Sequence, residues 1–222
     1  MALTQIHNIG SYMGRSTLLV ALVICFMLLS PAVSQATTIA RLPIDSIVHG
    51  AELIFEGRVL SHLVQHQSGT GIINTYVIFS VIDVIKGDFD AELVELKFSG
   101  GESQEEIFKV NGLRIPAVEE EGIYFVESVS RNLINPLLGW SQGHYVISEQ
   151  NGERLVNTAD ATPVIDIQPM TDMPASIVRP LDLIDGNIET AAGIMTAITT
   201  AATEQALTVQ QFKSRIVEIL EN

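Results

Sequence analysis

The stretch Ala51-Glu-Leu-Ile-Phe-Glu-Gly-Arg-Val-Leu60, followed by Ile72-Ile-Asn-Thr-Tyr-Val-Ile-Phe-Ser-Val-Ile-Asp-Val-Ile85, decides the fold class. In the first segment Leu53, Phe55 and Val59 alternate with Glu52, Glu56 and Arg58, a period of two that predicts a half-buried strand. Gly57 interrupts that alternation, as at a bulge or tight bend in a curved sheet. The second segment is apolar on both faces, with Val77, Phe79 and Val81 on one and Tyr76, Ile78 and Ile82 on the other. A strand of that kind lies centrally or bends between two layers.

Outward from this pair the pattern continues as short strands and turns. Lys86-Gly87-Asp88 reads as a turn, Leu93 to Phe98 alternates, and Gly100-Gly101 closes that strand. Glu106–Val110, Ile123–Ser128, His144–Ser148 and Arg154–Val156 are further strand candidates, the last two joined by a hairpin turn at Asn151-Gly152. Six or seven strands with little helical periodicity predict a mainly β protein, a small antiparallel barrel, closed or partly open, over residues 37–157. A β-sandwich is the alternative, but it should alternate more cleanly throughout.

Residues 1–36 read as an export signal: a polar region ending in Arg15, an apolar run Thr17–Leu29, then Ser30-Pro31 and small residues. Ser34 and Ala36 fit a cut after Ala36, and Ala32 and Ser34 a cut after Ser34. The 13-residue run is shorter than the roughly 20 residues of a membrane span, which disfavours an uncleaved anchor. Lipid attachment at Cys25 is disfavoured by Ile24 before it and by the apolar run beyond it. Cleavage removes the only cysteine, and with it disulfides, thiol catalysis and thiolate metal sites. The expected location is periplasmic or secreted, with no stable membrane span after cleavage.

The net charge is −14, and loss of Arg15 leaves 11 basic against 26 acidic residues. Without a basic patch, nucleic acid is not an expected partner. Beyond the sheet, residues 158–207 read as a Pro-rich strap, with Pro163, Pro169, Pro174 and Pro180, followed by an Ala/Thr-rich linker; Glu189–Ala206 suits a weak helix or a tether. Residues 208–222 predict an amphipathic helix, with a Thr208/Gln211 capping box and a stripe of Val209, Phe212, Ile216, Ile219 and Leu220. That stripe suits packing on the chain's own barrel, or else a partner's groove.

Candidate sites are few. His62 and His66 share metal-ligand spacing, but on an extended strand they stand about 13 Å apart at 3.3 Å per residue. Trp140, His144 and Tyr145, in a glycine-bent segment, are candidates to line a ligand groove or to cap the barrel end. Glu119-Glu120-Glu121 reads as a solvated turn. Neither a Gly-x-Ser-x-Gly elbow nor a cofactor motif is present, so no catalytic residue and no cofactor is assigned.

The segments Ala51–Val59, Thr75–Asp88, Phe98–Glu102, Gly122–Val126 and Gly139–His144-Tyr145, in this order, resemble a group of uncharacterised exported bacterial proteins. The resemblance implies an oligonucleotide/oligosaccharide-binding (OB-like) barrel, and in some of those proteins the barrel precedes a secreted metalloprotease domain. It carries over no catalytic residues, and the cysteines of protease-inhibitor barrels of similar outline are absent. The expectation is a non-enzymatic exported module that binds an envelope or extracellular protein or glycan. The alternatives are a metal-dependent hydrolase using His62, His66 and His144, or a protease-associated regulatory module.

Overall fold

A computed structural model describes residues 40–66, 71–102, 106–169, 190–197 and 206–222. The export-signal reading of residues 1–36, with Cys25, lies outside the described residues, as do most of the Pro-rich stretch and much of the Ala/Thr-rich one. The chain is mainly β. One antiparallel sheet of six strands has the order β3-β2-β1-β6-β7-β8. These are β1 (Leu53–His66), β2 (Ile73–Lys86), β3 (Leu93–Ser99), β6 (Glu121–Val126), β7 (His144–Gln150) and β8 (Glu153–Thr158). Two ribbons accompany it: β4 (Gly101–Glu102) with β5 (Ile107–Phe108), and β9 (Val164–Ile167) with β10 (Ile194–Thr196). The helices are α1 (Ile44–Gly50) and α2 (Val209–Glu221).

No pairing joins β3 to β8 among the described residues, so the sheet keeps two edges instead of closing. Both of its faces are nevertheless buried. On one face Ile54, Ile123, Phe125, Tyr145 and Val156 pack against α1 and α2. On the other, Phe55, Val77, Phe79, Leu96, Phe98 and Tyr124 pack largely on one another, with Leu113, Ile115 and Leu137 from loops. Phe79 of β2 and Tyr124 of β6 flank β1, yet their ring centroids are 4.8 Å apart; strands two apart in a flat sheet stand about 10 Å from each other, so the sheet curls around these rings.

The curl has a local cause. The β1–β2 register shifts at Ile54/Phe55, Glu56/Gly57 and Val59/Ser61, which bends both strands. Gly57 pairs with Gly122 across β1 and β6. A Cβ on Gly57 would lie 2.7 Å from the Phe55 ring, and one on Gly122 would lie 2.5 Å from the Tyr145 carbonyl oxygen. The missing side chains leave room for the Phe55 and Tyr124 rings, whose centroids are 5.3 Å apart.

The helices form as local chemistry dictates. Thr208 accepts from the Gln211 amide at 3.3 Å while the Gln211 side chain accepts from the Thr208 amide at 2.9 Å, the expected reciprocal cap. Val209, Phe212, Ile216 and Ile219 are buried against the sheet, so the stripe packs on its own chain. α1 starts directly after Pro43 and buries Ile44, Ile47 and Val48. The Lys86 ammonium donates to the Val48 and His49 carbonyls at 2.8 and 2.7 Å, satisfying its last turn. The described part of Glu189–Ala206 contains β10, a strand where a weak helix or tether was expected.

The edge at β8 is covered. Val156 N donates to Leu207 O at 2.9 Å, Leu207 N donates to Val164 O at 2.7 Å, and Asn157 bridges Pro163. Gly122→Ala should therefore destabilise the chain by about 1–3 kcal/mol in urea unfolding, because the methyl meets backbone that cannot rotate away. A loss below about 0.5 kcal/mol would show that the β1–β6 approach is not tight.

Candidate functional site

The three consecutive carboxylates Glu119, Glu120 and Glu121 sit where β6 begins, and only Glu119 lies in a solvated turn. Glu119 has φ 69°, a left-handed conformation, and its amide donates to Val59 O at 2.9 Å. Val59 N returns a bond to Glu120 O at 2.9 Å. The backbone twist sends each carboxylate in a different direction. Glu119 reaches solvent near Arg58, Glu120 turns to the inner face, and Glu121 turns to the helix face.

On the inner face, Glu120 meets His144, whose side chain is 1% exposed. The His144 Nε2 to Glu120 Oε1 distance is 2.6 Å, and Arg114 donates to Glu120 Oε2 at 2.6 Å. Burial pushes the imidazole below its ordinary pKa, outweighing the Glu120 charge that works the other way. Burial works to raise Glu120, but the His144 hydrogen bond and the Arg114 charge hold it below the usual carboxylate range. The pair thus consists of an ionised carboxylate and a neutral imidazole that carries its proton on Nε2, because an ionised carboxylate can only accept. Nδ1 is buried without a partner. Tyr124 Oη, raised by burial, lies in the Glu120 field but makes no hydrogen bond of normal geometry.

On the helix face a chain of alternating charges runs from Asp83 to Lys213, Glu56, Arg154, Glu121, Arg58 and Glu119. Glu56 is 1% exposed and is held by Lys213 of α2 and by Arg154 of β8, the latter at 2.6 Å. Arg58 and Arg154 flank a shallow pocket of about 330 Å3 that Glu120, Glu121 and Glu149 also line. Each cation there already faces a carboxylate, so the arrangement locks elements together and both guanidinium groups are engaged.

A larger cleft, about 460 Å3, lies where β3 runs into the β4–β5 ribbon. Gly100 has φ 109°, and its missing side chain admits the Phe108 carbonyl within 2.9 Å of where a Cβ would be. Glu102, Ile107, Phe108, Lys109, Asn111 and Leu113 line the cleft. Ile107 and Phe108 are 61% and 38% exposed.

The residues singled out from sequence are dispersed. His62 and His66 both lie on β1. His62 Nε2 is 2.7 Å from Pro116 O, and His66 Nδ1 is 4.0 Å from Glu106. His144 belongs to a different strand and is engaged by Glu120, so the three imidazoles do not converge. Among the described residues no group of three metal-ligating side chains comes together. His144 and Tyr145 occupy opposite faces of β7: Tyr145 packs on Phe125 and Phe212 at centroid distances of 5.6 and 4.8 Å. Trp140 starts a 3-10 turn, Trp140–Gly143, with φ 61°. The three therefore do not line one groove, because successive residues of a strand face opposite ways. The sequence reading took Glu120 as part of a solvated turn and did not single out Arg114 or Phe108. The signal for Glu120 was its place between Ala117 and Gly122 at a strand start, with carboxylates on both sides.

Comparison with family models, with curated proteins and with solved structures returns no match.

The His144 site makes stability pH-dependent with a definite sign. An unfolded imidazole binds its proton near pH 6.5, whereas the folded one, with its lowered pKa, resists it. Protons thus favour the unfolded chain, and stability present above pH 6.5 is lost as the pH falls below it. Glu120 adds a loss of the same sign at lower pH. The thermal midpoint should fall between about pH 7 and pH 5, and His144→Gln, which can still donate to Glu120, should flatten that slope. An unchanged slope in the variant would remove His144 from the account.

Proposed function

We propose that the chain is an exported, non-enzymatic module that binds a protein partner, with its curled sheet serving as a partly open, OB-like barrel. The observation that carries this reading is the contrast between its two kinds of site. The acid–base residues are sealed: His144 is buried and both Glu120 oxygens are engaged. The apolar lip of Ile107 and Phe108, in contrast, stands in solvent beside a cleft of about 460 Å3. Exposed apolar side chains gathered at a cavity mark contact surfaces. Phe108 is the one ring among the described lining residues and its apolar neighbours, Ile107, Leu113 and Ile115, are aliphatic, a lining better matched to the mixed side chains of a polypeptide than to a glycan. The order of polar region, apolar run and small residues in 1–36 supports export.

Two measurements test the proposal. Mass spectrometry of protein recovered outside the cytoplasm should give a chain starting at residue 37; an intact Met1 in a cytoplasmic fraction would overturn export. A photo-crosslinker at Phe108 should trap one polypeptide in the producing cell. Once that polypeptide is purified, Ile107→Ser with Phe108→Ser should weaken its binding by about tenfold or more, roughly 1.4 kcal/mol, without moving the thermal midpoint. No trapped polypeptide, or unchanged affinity in the variant, would overturn the binding reading.

A further inference from the structure

The two edges of the sheet differ. The β8 edge is satisfied by Leu207, Thr208 and Pro163. At β3 the bonding phase can be read from its ends. Val81 N donates to Glu92 O and Gly100 N donates to Ile73 O, so even-numbered β3 residues exchange bonds with β2. Ser99 N instead donates outward to Ile134 O at 2.8 Å. By the alternation of an antiparallel ladder, the N–H and C=O groups of Leu93, Glu95 and Lys97 point away from β2. None of these outward groups has a backbone partner among the described residues. The side chains alternate too. Val94, Leu96 and Phe98 are buried in the inner cluster, while Leu93 is 54% exposed and Glu95 stands in solvent beside Lys97.

We infer that this edge is a strand-addition site, taking an extended segment of a partner protein along Leu93–Lys97. The inference rests on the reading of the chain as a binding module but uses a surface separate from the Phe108 cleft. An exposed row of alternating donors and acceptors is matched by another extended backbone. Side-chain chemistry sets the sequence of the guest. Residues opposite Val94 and Leu96 lie over the inner cluster and are apolar; the one opposite Glu95 is basic and the one opposite Lys97 acidic. Lys97 Nζ donates to Asn132 Oδ1, which holds the cation on the solvent face.

A second copy of the chain fits this edge poorly. In the antiparallel register that sets Glu95 opposite Lys97, the copy's Leu93 falls opposite Ser99, whose amide Ile134 already holds. The register one step back, two residues shorter in sum, places Glu95 against Glu95. The guest is thus a different polypeptide.

The test uses the full chain and two synthetic peptides, Thr-Glu-Val-Lys-Val-Thr and its charge-swapped form Thr-Lys-Val-Glu-Val-Thr. In the free protein the amides of Leu93, Glu95 and Lys97 should exchange with solvent fast, and those of Val94, Leu96 and Phe98 slowly. Millimolar amounts of the first peptide should slow the three outward amides by about tenfold and leave the inward ones unchanged. Glu95→Pro removes an outward N–H that the β2 ladder does not use, so the fold should persist while the peptide effect disappears. Exchanging the charges with Glu95→Lys and Lys97→Glu should transfer the preference to the second peptide, an outcome that does not depend on the proline variant. Outward amides already protected in the free protein would overturn the inference, as would no peptide effect or equal effects of both peptides. Phe108→Ser should leave the peptide effect intact. Failure at the edge with partner binding retained at the cleft removes strand addition alone.

Discussion

The close approach of β1 and β6 at Gly57 and Gly122 is the constraint on which the rest of the fold depends. Two glycines opposite each other leave space above the strands, and the Phe55 and Tyr124 rings occupy the inner side of it. Phe79 meets both rings, at 5.5 and 4.8 Å. Once these three rings are together, the sheet cannot be flat, and the remaining strands follow the curl. The helix face is then left convex and must be covered by other elements. α1 and α2 do this, so an all-β reading of the core would leave one apolar face without a lid.

Polar groups then decide where the covers sit. Burying the Glu56 carboxylate costs several kcal/mol, and the paired cations return that cost only with good geometry. The net gain in stability is small, so what the arrangement chiefly supplies is position. Lys213 comes from α2 and Arg154 from β8, and both must reach one buried carboxylate on β1. A helix slid along its axis by one turn would keep its apolar stripe facing the sheet but lose that bond. Glu120 acts in the same way on the inner face, tying Arg114 of the 113–118 segment to His144 of β7. That segment supplies Leu113 and Ile115 to the cleft, so the sealed network shapes the open one.

Much of this was legible before any coordinates. The period of two marked β1 and β3, the Asn151-Gly152 turn has φ 54° and 81° as a type I′ hairpin requires, and the Thr208 cap forms both of its bonds. α1 escaped notice because its seven residues are only about two turns, shorter than the window of roughly 11 residues over which helical periodicity stands out. The expected barrel, closed or partly open, is met as far as a large antiparallel sheet with a C-terminal helix: a bent, doubly apolar strand indicates curvature, whereas closure requires pairing between the first and last strands, which no local pattern encodes. The proposed groove of Trp140, His144 and Tyr145 conflicted with the strand period, which separates neighbours to opposite faces. The function of Glu120 depended on a left-handed residue at Glu119, and that is invisible in a run of identical side chains.

The division between satisfied and unsatisfied groups is what gives the structure functional meaning. Where the chain has buried charge, it supplies partners from distant segments: Arg154 is 98 residues from Glu56, and Arg114 reaches the Ala159 carbonyl 45 residues away. Such matching makes the polar interior chemically quiet, because a general acid or base needs a route to substrate as well as a shifted pKa. Three buried atoms, His144 Nδ1, Tyr124 Oη and Tyr145 Oη, also lack partners but are closed off from solvent; the groups open to a partner are of another kind, apolar side chains on the β4–β5 lip and backbone amides along β3. Neither can activate water or a nucleophile. Both lower their free energy by contact with another polypeptide, as the proposed binding role requires.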